Sequence, residues 1–279
     1  LNTRRDRSGT RAFFAAAAKM AAMAMVIRVV LAAFPSASGE WEQIVIAISV
    51  ASMALASFAA IGQRNIKRLL AYSSIGHVGY ALIGLAAAGH QLSRAAALTK
   101  GAAASASQLA DAAALREGAA DSLSSVLIYL AIYLAMTVGS FACVLGMRRG
   151  RKMTETIEDL AGISREKPLF AFLFAMLLFS LAGIPPLAGF FAKFYVFNAA
   201  VDAHLYWLAV VGVVLSVVGA YYYLRIIKIM YFDEARVTFE TMPALVQLTL
   251  GLSTAFVIFF FIFPSPLKAA ADAASRSLF

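Results

Sequence analysis

Residues 180–195 read Ser-Leu-Ala-Gly-Ile-Pro-Pro-Leu-Ala-Gly-Phe-Phe-Ala-Lys-Phe-Tyr, which sets a Pro-Pro pair and a lysine inside an apolar run. The run covers 169–201, and one straight helix of that length would measure roughly 50 Å against a hydrocarbon core of roughly 30 Å. A single simple crossing is therefore excluded. Pro185 and Pro186 lack amide hydrogens and clash with the preceding turn, so the helix is expected to break near Gly183, Pro185 and Pro186 and to resume towards Lys193. Backbone freed at membrane depth needs protein or water as its partner, which makes broken helices markers of cavities and ion paths.

The rest of the chain agrees with a membrane setting. A hydrophobic fraction of 62% and a mean hydropathy of +0.80 exceed soluble composition and indicate an all-α polytopic membrane protein. The net charge of +9 does not call for nucleic acid, because the lysines and arginines lie in loops between apolar spans. Cys143 is the lone cysteine, so no disulfide forms within the chain.

Apolar spans are read at 12–34, 44–62, 69–88, 126–147, the broken element 169–201, 205–231 and 245–263, about seven membrane elements in one domain over 12–267. A basic segment, 1–11, precedes them and a short tail, 268–279, follows. Between the third and fourth spans, 90–125 is read as a long alanine-rich loop, a weak surface helix or a mobile stretch. Positive residues gather at the amino terminus and in the loops after spans two, four and six. That face is assigned to the cytoplasm, which puts the carboxyl terminus and the long loop outside, in the periplasm of a bacterial inner membrane.

A charged side chain at the bilayer centre costs at least about 2.5–3.5 kcal/mol, so each one asks for a reason. Those found are Lys19, Arg28, His77 and Lys193, and every aspartate and glutamate is placed in loops or termini. A lysine at depth must then be solvated by water, paired with another chain, or neutral. Burial disfavours the charged amine, and easy exchange of a proton is what a relay needs. Lys19 and Lys193 are accordingly read as proton-relay groups, with snorkelling to the interface as the alternative for Lys19. Arg28 cannot deprotonate and is read as an anchor.

Ser73, His77 and Tyr80 follow i, i+4, i+7 spacing and so share one helix face. Imidazole titrates near neutrality, so His77 is either a relay between the lysines or a packed histidine, with Gly76, Gly79 and Gly84 admitting a neighbouring backbone. Tyr133 and Tyr195 are weaker supporting candidates. Three scattered histidines and one cysteine supply no metal-ligand cluster, and no glycine-rich phosphate loop is present.

Three stretches in the same order carry a resemblance: 180–195, Tyr-Tyr-Tyr-Leu-Arg at 221–225, and Asn-Ile-Lys-Arg-Leu-Leu-Ala-Tyr-Ser-Ser-Ile-Gly-His at 65–77. The chain resembles the chain-N family of antiporter-like membrane subunits of proton-pumping NADH:quinone oxidoreductase, respiratory complex I. The resemblance implies the second half of an inverted-repeat fold, because a long apolar first half precedes this point in the family. It further implies outward proton translocation, with Lys19 linking two half-channels, Lys193 serving the exit side, and His77 and water between. Partners would be other membrane-arm subunits, lipid, protons and internal water. FMN, iron–sulfur clusters and quinone belong elsewhere in such a complex, so no cofactor and no redox chemistry are expected on this chain. Two alternatives are a cation/proton antiporter subunit of the same superfamily and a truncated or purely structural membrane piece.

Overall fold

Long apolar helices need starts as well as lengths, and two polar residues provide them. Asn65 accepts from the amides of Lys67 and Arg68 at 2.9 and 3.1 Å, satisfying donors that a helix start leaves orphaned. Ser105 and Gln108 form a reciprocal capping box. The protein is seen as a computed structural model that describes residues 18–100, 105–149, 152–234 and 239–278.

In order, the elements are α1 over 18–28 with a π turn at Val29–Ala33, a 3-10 turn at Pro35–Ala37, α2 (Ser38–Ile61), α3 (Ile66–Thr99) and α4 (Ala106–Gly146). A two-stranded antiparallel ribbon follows, β1 (Arg148–Arg149) with β2 (Lys152–Met153), then a 3-10 turn at Ile157–Leu160. The chain closes with α5 (Ile163–Glu166), α6 (Pro168–Ala182), α7 (Ala188–Asp202), α8 (Tyr206–Phe232), α9 (Ala244–Phe259) and α10 (Ser265–Arg276). Four segments, Pro35–Ile61, α3, α4 and α8, are long and apolar enough to cross a membrane, and α6 and α9 are shorter apolar helices.

Burial sorts these helices into an inside and an outside. The most apolar window of α3 is 78% buried and that of α4 67%, against 33% and 39% for the spans containing α2 and α8. The middle is thus α3 and α4, and the outer helices turn Ile44, Ile48, Phe58, Val210, Val214 and Val217 outward. Close approach of α2 to α3 is made at Gly79, where a Cβ would stand 2.9 Å from the Ser49 carbonyl oxygen.

The structure decides between the readings left open for one stretch, adds detail to a second and corrects the placement of Glu42. The stretch 90–125 is helical in its described parts outside residue 100 and the cap at Ser105. Alanine propensity prevails, and the Ser122 hydroxyl donates to Gln91 at 2.9 Å, joining the two extensions. At 34 and 41 residues, α3 and α4 run about 51 and 62 Å, far beyond a bilayer core. The tail 268–279 is largely α10, with Pro266 in its first turn, where a missing amide costs little, and Ala271 and Ser275 buried. Its Asp272 accepts from Ser124 on α4. Finally, α2 begins at Ser38, so Glu42 is no loop residue: it is 7% exposed and bonds the His90 Nδ1 at 2.8 Å. The basic segment 1–11 and the start of the first span lie outside the described residues.

One end of the bundle is stitched by its loops. The Ile66 amide donates to the Glu155 carbonyl at 2.8 Å, Ile157 to Arg64 at 2.9 Å and Gly162 to Ile229 at 3.1 Å. Lys67 Nζ meets Glu155 Oε1 at 2.7 Å, and Lys167 donates to the carbonyls of Phe239 and Glu240. The loops after the second, fourth and sixth apolar spans thus meet at one end.

Candidate functional site

The cap at Asn65 sets where α3 starts, and with it the direction in which Ser73, Ser74, His77 and Tyr80 point. All four are buried, in a helix whose other buried positions are almost entirely apolar. A polar face so placed needs partners from the facing helices. They come from α1, α2, α4 and α8.

His77 is bonded at both nitrogens. Its Nδ1 lies 2.7 Å from the Tyr129 hydroxyl on α4 and its Nε2 3.3 Å from the Tyr223 hydroxyl on α8. The Tyr133 ring stacks on the imidazole with centroids 4.8 Å apart and planes 23° from parallel. A neutral imidazole donates from one nitrogen and accepts at the other, so a hydroxyl at each keeps either tautomer bonded. Such a ring can take a proton on one side and release one on the other.

Two branches leave this centre. On one, the Tyr133 hydroxyl lies near Ser74, and Ser74 accepts a hydrogen bond from the half-buried Lys19 ammonium. On the other, Ser73 bonds the Tyr223 hydroxyl and lies near Tyr222, whose ring is 4.4 Å from that of Tyr223. Tyr80, one turn further along α3, lies near Ser216 on α8 and Ser57 on α2.

Lys193 sits beyond Tyr80, 7% exposed, and the break in the chain supplies its surroundings. After α6, Gly183 adopts φ +89°, a left-handed conformation that closes the helix; α7 starts at Ala188, and the intervening Pro185–Pro186 peptide is cis. The turn folds α7 back so that Lys193 Nζ donates to the carbonyl of Ala182 at 2.9 Å, to that of Leu181 at 3.3 Å and to Ser216 Oγ at 2.7 Å. It also lies 5.0 Å from the centroid of the Tyr80 ring. The sequence offered water, another chain or neutrality for this amine. The fold adds a fourth means of solvation, the negative end of α6.

Other candidates stand apart. Tyr195 lies against Phe194 and lines a polar cleft of about 1170 Å³ with Arg94, Asp121, Asp202 and Lys268, away from the histidine centre. Arg28 is exposed. The half-buried Glu42–His90 pair is about 20 Å along α3 from His77. Among the described residues, no three His, Cys, Asp or Glu side chains gather to hold a metal. Sequence reasoning missed Ser74, Tyr129, Ser216, Tyr222 and Tyr223. Their signal was weak: a hydroxyl within an apolar membrane helix costs far less than a charge and can bond its own helix.

A membrane-domain family described as NADH:quinone oxidoreductase/Mrp antiporter matches residues 9–109 and 102–219. NADH-quinone oxidoreductase subunit N of Methylobacterium nodulans is 57% identical over 96% of this chain and 49% of its own length. The protein of the same name from Parvibaculum lavamentivorans is 53% identical over the same shares. The chain therefore spans about half the length of the curated relatives it matches. Among solved structures, a chain of respiratory complex I from Thermus thermophilus aligns with a TM-score of 0.64 at 25% identity, over 82% of this chain and 45% of that one. A chain of the Mrp complex from a Dietzia species aligns at 0.75 over 96% and 52%, and at 18% identity it shows likeness of fold alone.

Proposed function

Since the chain belongs to the NADH:quinone oxidoreductase/Mrp antiporter membrane family, we propose that it carries one half of a proton-translocating membrane-arm subunit of NADH:quinone oxidoreductase, subunit N. Seven membrane elements would result if α1, α9 and the α6–α7 pair each count as one crossing beside the four long segments. In this reading they form one of two inverted halves. The loops stitched at one end face the cytoplasm, the membrane is the bacterial inner membrane, and the neighbours are other membrane-arm subunits and lipid. Redox cofactors stay on other chains.

The observation that carries the reading is a buried histidine bonded at both nitrogens, set on a polar helix face between two lysines. Protons would move between Lys19 and Lys193 by way of Ser74, Tyr133, His77, Tyr223 and Ser73, with water bridging steps that no direct hydrogen bond spans. Among the described residues, neither lysine has a carboxylate to hold its proton fast. Lys193 is instead solvated by carbonyl dipoles, which stabilise the ammonium less firmly than a carboxylate would.

The test is proton uptake per electron transferred in membrane vesicles holding the assembled complex. Lys19→Ala and Lys193→Ala should each abolish uptake while the complex still assembles. Normal uptake in Lys193→Ala overturns the role given to that residue. A second reading, a cation/proton antiporter subunit, is supported by the matching family, whose description also covers Mrp antiporters; loss of sodium efflux rather than NADH oxidation on deletion would select it.

A further inference from the structure

The groups around Lys193 differ in what each can do with a proton. The carbonyls of Leu181 and Ala182 accept from the ammonium but have no proton to pass on. Tyr80 presents its ring face, and with Nζ 5.0 Å from the centroid the amine meets π electrons instead of the hydroxyl. Ser216 Oγ, 2.7 Å from Nζ, is the remaining partner among the described residues, and a hydroxyl both accepts and donates. Its other neighbour is the Tyr80 hydroxyl.

The sequence around Ser216 is Val-Val-Leu-Ser-Val-Val, in which Ser216 is the single hydroxyl of an apolar stretch. Ser216, Gly219 and Tyr223 follow i, i+3, i+7 spacing, so they share the face of α8 on which Tyr223 meets His77.

We propose that Ser216 is the relay residue through which Lys193 exchanges its proton with Tyr80 and so with the histidine centre. This rests on the proton-relay reading given above. In the step away from Lys193, an Nζ–H bond breaks as a bond to Ser216 Oγ forms. The original Oγ–H proton passes to the Tyr80 oxygen, and the Tyr80 proton leaves to a water in the polar face. Each hydroxyl ends with one proton, and the single charge has moved from the amine to that water. The return step is the reverse.

The experiment compares Ser216→Ala, Ser216→Thr and Lys193→Ala in membrane vesicles holding the full-length subunit in its native assembly. Proton uptake per electron and the rate in light and heavy water are read for each. Positioned proton transfer contributes roughly 10²–10⁴-fold, so Ser216→Ala should slow uptake by about tenfold or more, with an enlarged solvent isotope effect. Ser216→Thr, which keeps the hydroxyl, should restore both. Normal uptake in Ser216→Ala with none in Lys193→Ala overturns this inference and leaves the function standing. Normal uptake in both overturns the function itself. Equal losses in Ser216→Ala and Ser216→Thr assign the serine to packing and overturn its relay role.

Discussion

His77 gains its chemistry from two hydroxyls that lie far from it in sequence. Tyr223→Phe keeps the ring and removes the oxygen bonded to His77 Nε2 and Ser73. A buried polar group left without a partner costs about 1–3 kcal/mol, so this variant should lose stability of that order and lose proton uptake together. Tyr133→Phe keeps the stacked ring over the imidazole, so it should cost less stability, yet it removes the hydroxyl between Ser74 and His77 and should lower uptake as well. Thermal unfolding in detergent, read beside vesicle pumping, checks both; an unimpaired Tyr223→Phe removes the histidine from the route. The face bearing Ser73, His77 and Tyr80 was legible from spacing, as were the lysines from their cost in a bilayer. Tyr129, Tyr223 and Ser216 were not, because which hydroxyl meets which nitrogen depends on how α3, α4 and α8 pack, and periodicity along one helix says nothing of its neighbour.

Among the elements, the α6–α7 turn has the least freedom. A Cβ at Gly189 would fall 1.9 Å from the Ser180 carbonyl oxygen, a backbone atom that no rotamer can move. At Gly183 the nearest atoms belong to the flexible Lys193 side chain, 3.0 Å away, and the cost is that of a left-handed conformation, about 1–2 kcal/mol. Gly189→Ala should therefore be the more damaging of the two, exceeding the ~1–3 kcal/mol usual for overpacking because the two helices must separate. Gly183→Ala should fold and shift Lys193. Unfolding midpoints of the two variants give the order, and a Gly189→Ala protein as stable as Gly183→Ala would contradict the close packing of the turn. The Pro-Pro pair made a helix break readable from sequence. The folding back that hands two carbonyls to Lys193 was not, since it needs the left-handed Gly183 and the Gly189 contact together. For the alanine-rich stretch the sequence left a loop, a weak helix and a mobile stretch open; the pair Ser105 and Gln108, which starts α4, was the signal for helix.

Across the whole molecule, the polar route is held by an end that is itself titratable. The hydrogen bond from Lys67, then that from Asn65, holds the Glu155 carboxyl below the usual carboxylate range. Through Asn65 and Ile66 this clamp fixes the start of α3, and Gly162 carries the same loop to α8, so both helices around His77 share one anchor. The sign follows from the depressed value. Below its ordinary 4.5 the unfolded carboxyl takes up a proton that the folded one still refuses, so the clamp's contribution is full above that pH and is lost as pH falls through the folded value. With side chains 34% and 41% exposed, screening keeps the contribution within about 1 kcal/mol. Glu155→Gln should thus shift stability near neutrality by no more than about 1 kcal/mol and flatten its decline below about pH 4.5. Unfolding midpoints of both proteins in detergent from pH 3 to pH 7 measure this, and parallel curves over that range would mean that Glu155 does not anchor α3.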